Sequence, residues 1–309
     1  MEDAGVGAHR IAGMGWLARG VSALAVTALA VAGTAGVGAS AGAAVAAPPV
    51  AGTISTVAGG VGGPARATNV PITNACGVSI ANGLLYIGSW DSYFYALDAV
   101  TGILKWRFKG GVDPDIHNQV GFQSSAAIAD GVVYVGCRDA QLYALDAQTG
   151  RKKWSFDNKG SWVVGSPAVR DGRVYFATSD SHRIWALDTT AGKPVFEIPT
   201  RAFSFSSPAL AQSWLYVGNW DGTVAAVDLT TGKVGWTWAT AASRAHAAEY
   251  TQKDGTINFD TDPNVEPFYD IMLTRIDREY ALGGIAASPV LSNGVLYVAS
   301  VDGNLYALK

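Results

Sequence analysis

The chain has 309 residues, 49% of them hydrophobic and 15% charged, with a net charge of −3. That balance leaves no basic footprint for nucleic acid and gives no electrostatic reason to adhere to anionic lipid. The length allows one large domain or two smaller ones, and 37 glycines with ten Trp and twelve Tyr suit strands joined by many tight turns.

Residues 1–47 differ in kind from the rest. The stretch 11–47 carries one charge, Arg19, and is mostly Ala, Gly and Val around an apolar core at 21–32. Ala44-Val45-Ala46 supplies an A-x-A cleavage pattern just before Pro48-Pro49, so 1–47 reads as a secretory signal peptide. Glu2-Asp3 does not suit a positive leader start, whereas Met14 with Arg19 does; an uncleaved anchor is the alternative. No cysteine lies near the cleavage point, so a lipid anchor is not expected, and no later segment is apolar enough to span a bilayer. The expected product is a domain of residues 48–309, exported to the periplasm, cell envelope or exterior. In that setting Cys76 and Cys137 could form one disulfide, although two buried thiols are the simpler reading.

From residue 76 onward a pattern recurs. Tyr86, Tyr134, Tyr175, Tyr216 and Tyr297 each stand five residues before an aspartate: Asp91, Asp139, Asp180, Asp221 and Asp302. A second aspartate follows at Asp98, Asp146, Asp188 and Asp228, then a turn glycine at Gly102, Gly150, Gly192 and Gly232. Four residues past each glycine is a large aromatic: Trp106, Trp154, Phe196 and Trp236. A strand of small residues precedes each unit. Four short strands per unit of about 40–50 residues indicate propeller blades, not helical solenoids. The small strand suits the crowded axis, and the aromatics suit the wide periphery. The expected fold is therefore an all-β propeller with five recognisable blades, or six if 241–284 hides a degenerate one. The fifth unit ends at Lys309 without a fourth strand, and the alternating segment 53–58 is expected to close the ring from the N-terminus.

Ser166-Pro167-Ala168-Val169, Asp171-Gly172, Val174-Tyr175, Ser179-Asp180 and Ala186-Leu187-Asp188 together resemble the PQQ-like β-propeller repeat. The run from Ala144 to Trp154 resembles the tryptophan-docking motif of quinoprotein dehydrogenases, and 52–65 resembles the NHL propeller repeat. For activity the resemblance implies two directions. One is a quinone-dependent alcohol or sugar dehydrogenase holding PQQ and Ca²⁺ at the axis. The other is a non-catalytic scaffold of the kind found in the propeller lipoprotein of the outer-membrane assembly machinery. The chain lacks the adjacent Cys-Cys pair and has about half the blades of the eight-bladed alcohol dehydrogenases, so the scaffold is the expected function, without a cofactor and with a protein or polysaccharide partner.

Tyr216 and Tyr297 are 81 residues apart, which leaves 241–284 outside the repeat. An insertion is expected there; the alternative is a degenerate blade with strands at 249–252, 256–260, 271–276 and 278–282. Within it Asp260, Asp262, Asn264 and Glu266 alternate as Ca²⁺ ligands can, but Pro263 interrupts them and a turn glycine is missing, so a solvated acidic loop is the simpler reading. Because the shared residues serve every blade, binding is expected where the blades differ. Those places are Cys137 in place of a small turn residue, the polar loop around His117, Trp90 and Trp220 in turns that elsewhere hold small or basic residues, and the interruption at 241–284; separately, Arg138, Arg183 and Arg201 could line a rim. Packing between neighbouring turns is the competing role for the two tryptophans.

Overall fold

In a computed structural model of the chain, residues 75–112, 121–259 and 268–309 are described. The expected leader, 1–47, and the expected closing strand, 53–58, lie outside them. Five antiparallel sheets follow one another, each with its strands in chain order. The first holds β1 (Ala75–Ala81), β2 (Leu84–Ser89), β3 (Tyr93–Asp98) and β4 (Leu104–Lys109). The second holds β5 (Ala127–Ala129), β6 (Val132–Gly136), β7 (Gln141–Asp146) and β8 (Lys152–Asp157). The third holds β9 (Ala168–Arg170), β10 (Arg173–Ala177), β11 (Arg183–Asp188) and β12 (Pro194–Pro199). The fourth holds β13 (Ala209–Ala211), β14 (Trp214–Gly218), β15 (Thr223–Asp228) and β16 (Lys233–Ala239). The fifth has three strands among the described residues: β17 (Val290–Ser292), β18 (Val295–Ala299) and β19 (Leu305–Leu308). These are the four-stranded blades of a β-propeller.

Register explains the recurring residues. Tyr86 faces Ala96 across β2 and β3, and Ala96 faces Trp106 across β3 and β4. The rows Tyr134–Ala144–Trp154, Tyr175–Ala186–Phe196 and Tyr216–Ala226–Trp236 repeat this register. A methyl in the middle lets two large rings meet over it: Tyr86 and Trp106 have centroids 5.9 Å apart, Tyr134 and Trp154 5.8 Å. Directly after each alanine the register shifts, at Ala96/Leu97 and its three counterparts. Such a bulge bends the outer strand.

The same aromatics join blade to blade. Trp106 Nε1 donates to Ala147 O of the next blade at 3.0 Å, and Trp154 Nε1 donates to Thr189 O at 3.0 Å. The tyrosine hydroxyls of those rows, Tyr86 and Tyr134, reach the same two carbonyls at 3.3 and 3.4 Å. Phe196 has no N–H to give, and there Arg173 Nη1 supplies the equivalent carbonyl, Leu229 O, at 3.0 Å. Each ring also lies on a turn glycine: a Cβ at Gly150 would sit 2.5 Å from Trp106, at Gly192 2.5 Å from Trp154, and at Gly232 2.8 Å from Phe196.

Nearer the axis, serines make a second set of links. Ser125 N donates to Ser166 Oγ, Ser166 N to Ser207 Oγ, and Ser207 N to Ser288 Oγ, each at 2.9 Å. The last link spans 81 residues, so blade five follows blade four directly. Among the described residues the intervening 241–284 contributes no sheet. It forms α1 (Ala241–Tyr250) and α2 (Phe268–Leu282) with a single bridge, Thr251–Ile257. The alternative strands at 271–276 and 278–282 are replaced by helix, for a local reason. No Gly or Pro interrupts 269–282, half of whose residues are strong helix formers (Met, Leu, Arg, Glu, Ala), and the alanine-rich α1 is capped by Thr240, whose Oγ1 accepts from Ser243 N at 3.0 Å. Thr240 Oγ1 also donates to Leu282 O at 3.0 Å, tying the two helices together. Glu279 of α2 is buried, 7% exposed, against Gly284. Beside the three-stranded sheet, Trp236 is 39% exposed where Trp106 is 7% exposed, over a groove of about 450 Å³ lined by Tyr216, Trp238, Leu296 and Leu308.

Two measurements check this packing. Gly131 and Gly150 share a positive φ, +71° and +70°, but only Gly150 has a ring against it. Gly131→Ala is expected to lose about 1 kcal/mol in urea unfolding from backbone strain alone. Gly150→Ala is expected to lose about 1–3 kcal/mol more from overpacking, and equal losses would contradict the docking. Burial raises the Glu279 pKa from its ordinary 4.5 to about 7. Below pH 4.5 this carboxyl is protonated whether the chain is folded or unfolded. Between 4.5 and 7 only the unfolded chain loses the proton, so stability falls as pH rises, by roughly 3 kcal/mol in total. Glu279→Gln is therefore expected to stabilise the protein at pH 8 relative to its effect at pH 4, read from unfolding curves at both values.

Candidate binding face

Antiparallel order gives each blade two ends. The β1–β2 and β3–β4 turns lie at one end; the β2–β3 turn and the connection to the next blade lie at the other. The second end gathers the residues that do not repeat. Trp90 and Arg138 sit in the β2–β3 and β6–β7 turns, and Trp162 in the β8–β9 connection. The Arg138 guanidinium carbon lies 3.4 Å from the Trp162 ring centroid and 4.8 Å from that of Trp90. Turns of two successive blades and the connection that leaves the second thus build one cluster.

Backbone bonds fix its parts. Arg138 N donates to Gly121 O at 3.1 Å, Val163 N to Cys137 O at 3.3 Å, and Trp162 N to Ser179 Oγ at 3.0 Å. Gly121 allows the close approach, since a Cβ there would stand 2.9 Å from Trp90 Cα. Under the cluster, Asp139 accepts from Gly111 N and the Tyr143 hydroxyl, both at 2.6 Å, and raises the tyrosine's pKa together with burial. Burial lowers the Arg138 pKa to about 10, against the opposing attraction of exposed Asp180. Among the described residues, Arg138 Nε and Trp162 Nε1 are buried without a hydrogen-bond partner.

The neighbouring part of this end is organised differently. Trp220 packs edge-on to Phe205 at 4.7 Å and to Phe203 at 5.6 Å, within a cluster that also holds Phe259 and Leu282. Its ring serves the seat of the helices, the packing role. Arg183 Nε contacts Glu197 Oε1 at 2.6 Å, and its Nη1 donates to Ser181 O and His182 O. Arg201 donates to Gly255 O and Thr251 Oγ1, both at 3.0 Å. A cavity of about 450 Å³ between them is lined by His182, Thr200 and Asp254, and burial lowers the His182 pKa. These arginines have acceptors of their own. Buried Asp221 accepts from Thr223 through Oδ1, while its Oδ2 has no partner among the described residues, and burial raises its pKa.

His117, Asp260, Asp262, Asn264 and Glu266 lie outside the described residues. Cys76 and Cys137 do not form a disulfide with each other. Among the described residues no three His, Cys, Asp or Glu side chains converge to hold a metal ion. The sequence pattern singled out Trp90 and Arg138 but passed over Trp162; its only signal is a tryptophan in a connection that elsewhere carries Phe or Gly.

Comparisons with known proteins follow the same lines. The family model described as outer membrane protein assembly factor BamB matches residues 61–155 and 91–309. BamB from Moraxella catarrhalis is 18% identical with a TM-score of 0.54, over 77% of this chain and 61% of its own. The quinohemoprotein alcohol dehydrogenase ADHIIG from Pseudomonas putida HK5 is 20% identical with a TM-score of 0.51, over 77% of this chain and 41% of its own. The computationally designed protein Ika8 is 13% identical with a TM-score of 0.53, over 75% and 57%. At these identities the likeness shows the fold, and this chain spans 41–61% of the three structures' lengths. No curated protein matches it. With the family model covering most of the repeats and the docked aromatics joining one blade to the next, the chain belongs to the PQQ-like β-propeller repeat family described as outer membrane protein assembly factor BamB.

Proposed function

We propose that the chain is an exported binding scaffold of the cell envelope that presents the Trp90–Arg138–Trp162 end of its blades to a protein partner. The observation that carries this reading is the separation of roles. Residues shared by the blades hold the blades together, whereas the non-repeating aromatic and cationic residues meet at one end on rigid sheets. Aromatic and arginine side chains on a fixed frame are the usual anchors of protein interfaces. Export is supported by the leader-like 1–47, and among the described residues no helix is long and apolar enough to cross a membrane. Family membership alongside an outer-membrane assembly factor favours a protein partner over a polysaccharide. The quinone-dependent dehydrogenase remains the second reading; it draws on the fold it shares with ADHIIG.

Photo-crosslinking distinguishes the two ends. A benzophenone amino acid at exposed Lys159 or Asp180 is expected to give a discrete adduct with an envelope protein, whereas one at exposed Val100 or Thr190, at the opposite end, is not. Adducts from both ends alike, or from neither, would contradict the reading. Dye-linked alcohol oxidation after addition of PQQ and Ca²⁺ is expected to stay at background, and turnover would favour the dehydrogenase.

A further inference from the structure

We infer that Arg138, flanked by Trp90 and Trp162, is a binding site for a peptide carboxylate, which deepens the proposed partner-binding role and rests on it. Arg138 stands apart from the other arginines with described bonds. Arg170, Arg173, Arg183, Arg201 and Arg244 each donate to a carbonyl or carboxylate oxygen. Arg138 makes no side-chain hydrogen bond and no ion pair among the described residues; two indole faces are its neighbours. A half-buried charge without an acceptor is unfavourable, and the arrangement makes sense when a ligand supplies the acceptor.

The geometry selects the ligand. Stacking on an indole occupies a face of the planar guanidinium and not its terminal N–H groups, whose fork matches the two oxygens of a carboxylate. The surrounding field is not basic: Asp180 stands nearby and the whole chain carries −3. A doubly charged phosphate or an extended polyanion would meet one cation and an acidic neighbour. A single carboxylate with apolar flanks meets the cation and gains contact with Trp90 and Trp162. The cluster is also fixed in advance by backbone bonds from Arg138, Trp162 and Val163, so little ordering is required on binding.

The test is a titration, followed by NMR, with two blocked or half-blocked peptides. The first, Ac-Gly-Leu-Glu-Leu-Gly-NH2, offers a side-chain carboxylate. The second, Ac-Gly-Leu-Gly with a free C-terminus, offers a main-chain carboxylate. Saturable binding of the first, the second or both supports the site and identifies the source. The Gln counterpart of the first peptide and inorganic phosphate serve as controls, and both are expected to bind at least tenfold more weakly. Arg138→Gln is expected to weaken peptide binding at least tenfold. Arg138→Lys is expected to weaken it several-fold, since a point charge lacks the fork, and Arg151→Gln, at the opposite end, to leave it unchanged. Should Arg138→Gln fail to fold, the Arg138 Nε–Hε resonance of the unmodified protein decides: it is expected to shift on peptide addition. No saturable binding up to millimolar peptide, equal binding of the Gln peptide, or an unmoved resonance would overturn the site. Cross-links at Asp180 without peptide binding would reject the carboxylate site and leave partner binding standing; peptide binding without cross-links would do the reverse.

Discussion

Blades one to four are held in sequence by a ring laid on a glycine at each of their three seams. The indoles of Trp106 and Trp154 lie over Gly150 and Gly192 and donate to a carbonyl three residues earlier in the same turn. This one contact explains several sequence constraints together. The turn must be glycine because it has positive φ and because no Cβ fits beneath the ring. The strand between tyrosine and tryptophan must carry alanine so that the two rings can meet over it. Where phenylalanine replaces tryptophan, the lost donor is supplied by Arg173. The serine ladder adds a second tie closer to the axis, and its step from Ser207 to Ser288 passes over the helices without a change in geometry.

That pattern was legible in the sequence because it repeats. The tyrosine, aspartate, glycine and aromatic spacings reported blade type, strand order and the outer position of Trp106, Trp154, Phe196 and Trp236, since every blade faces the same packing problem. The helices were not legible in the same way. They occur once, so no comparison between units exposes them, and their apolar residues at 271–282 also suit short strands. Local propensity and the Thr240 cap decide for helix. Trp220 shows the limit of reading one turn at a time. It stands at the position of Trp90 in its blade, yet Phe203, Phe205 and Phe259 enclose it, and those residues come from distant parts of the chain.

The same limit hid the third member of the candidate site. Arg138 could be picked out as a rim candidate, but its meaning depends on Trp162 and Trp90, which come from other turns. Spacing says nothing about such a meeting. The propeller supplies it by bringing equivalent turns of neighbouring blades to one end, where a change in any turn adds to a shared surface and leaves the contacts between sheets intact. Architecture and binding are in this way separated along each strand: the turns at one end carry the aspartates and glycines on which the rings dock, and those at the other, beside their own recurring aspartates, carry the variation.

The central claim is that this end binds a protein partner through Arg138. The most direct measurement is a crystal structure of the chain with a bound glutamate-containing peptide. The account predicts a carboxylate about 2.7–2.9 Å from the Arg138 terminal nitrogens, with Trp90 and Trp162 still against the guanidinium. A peptide bound elsewhere, with Arg138 turned out to solvent or paired with Asp180, would contradict it.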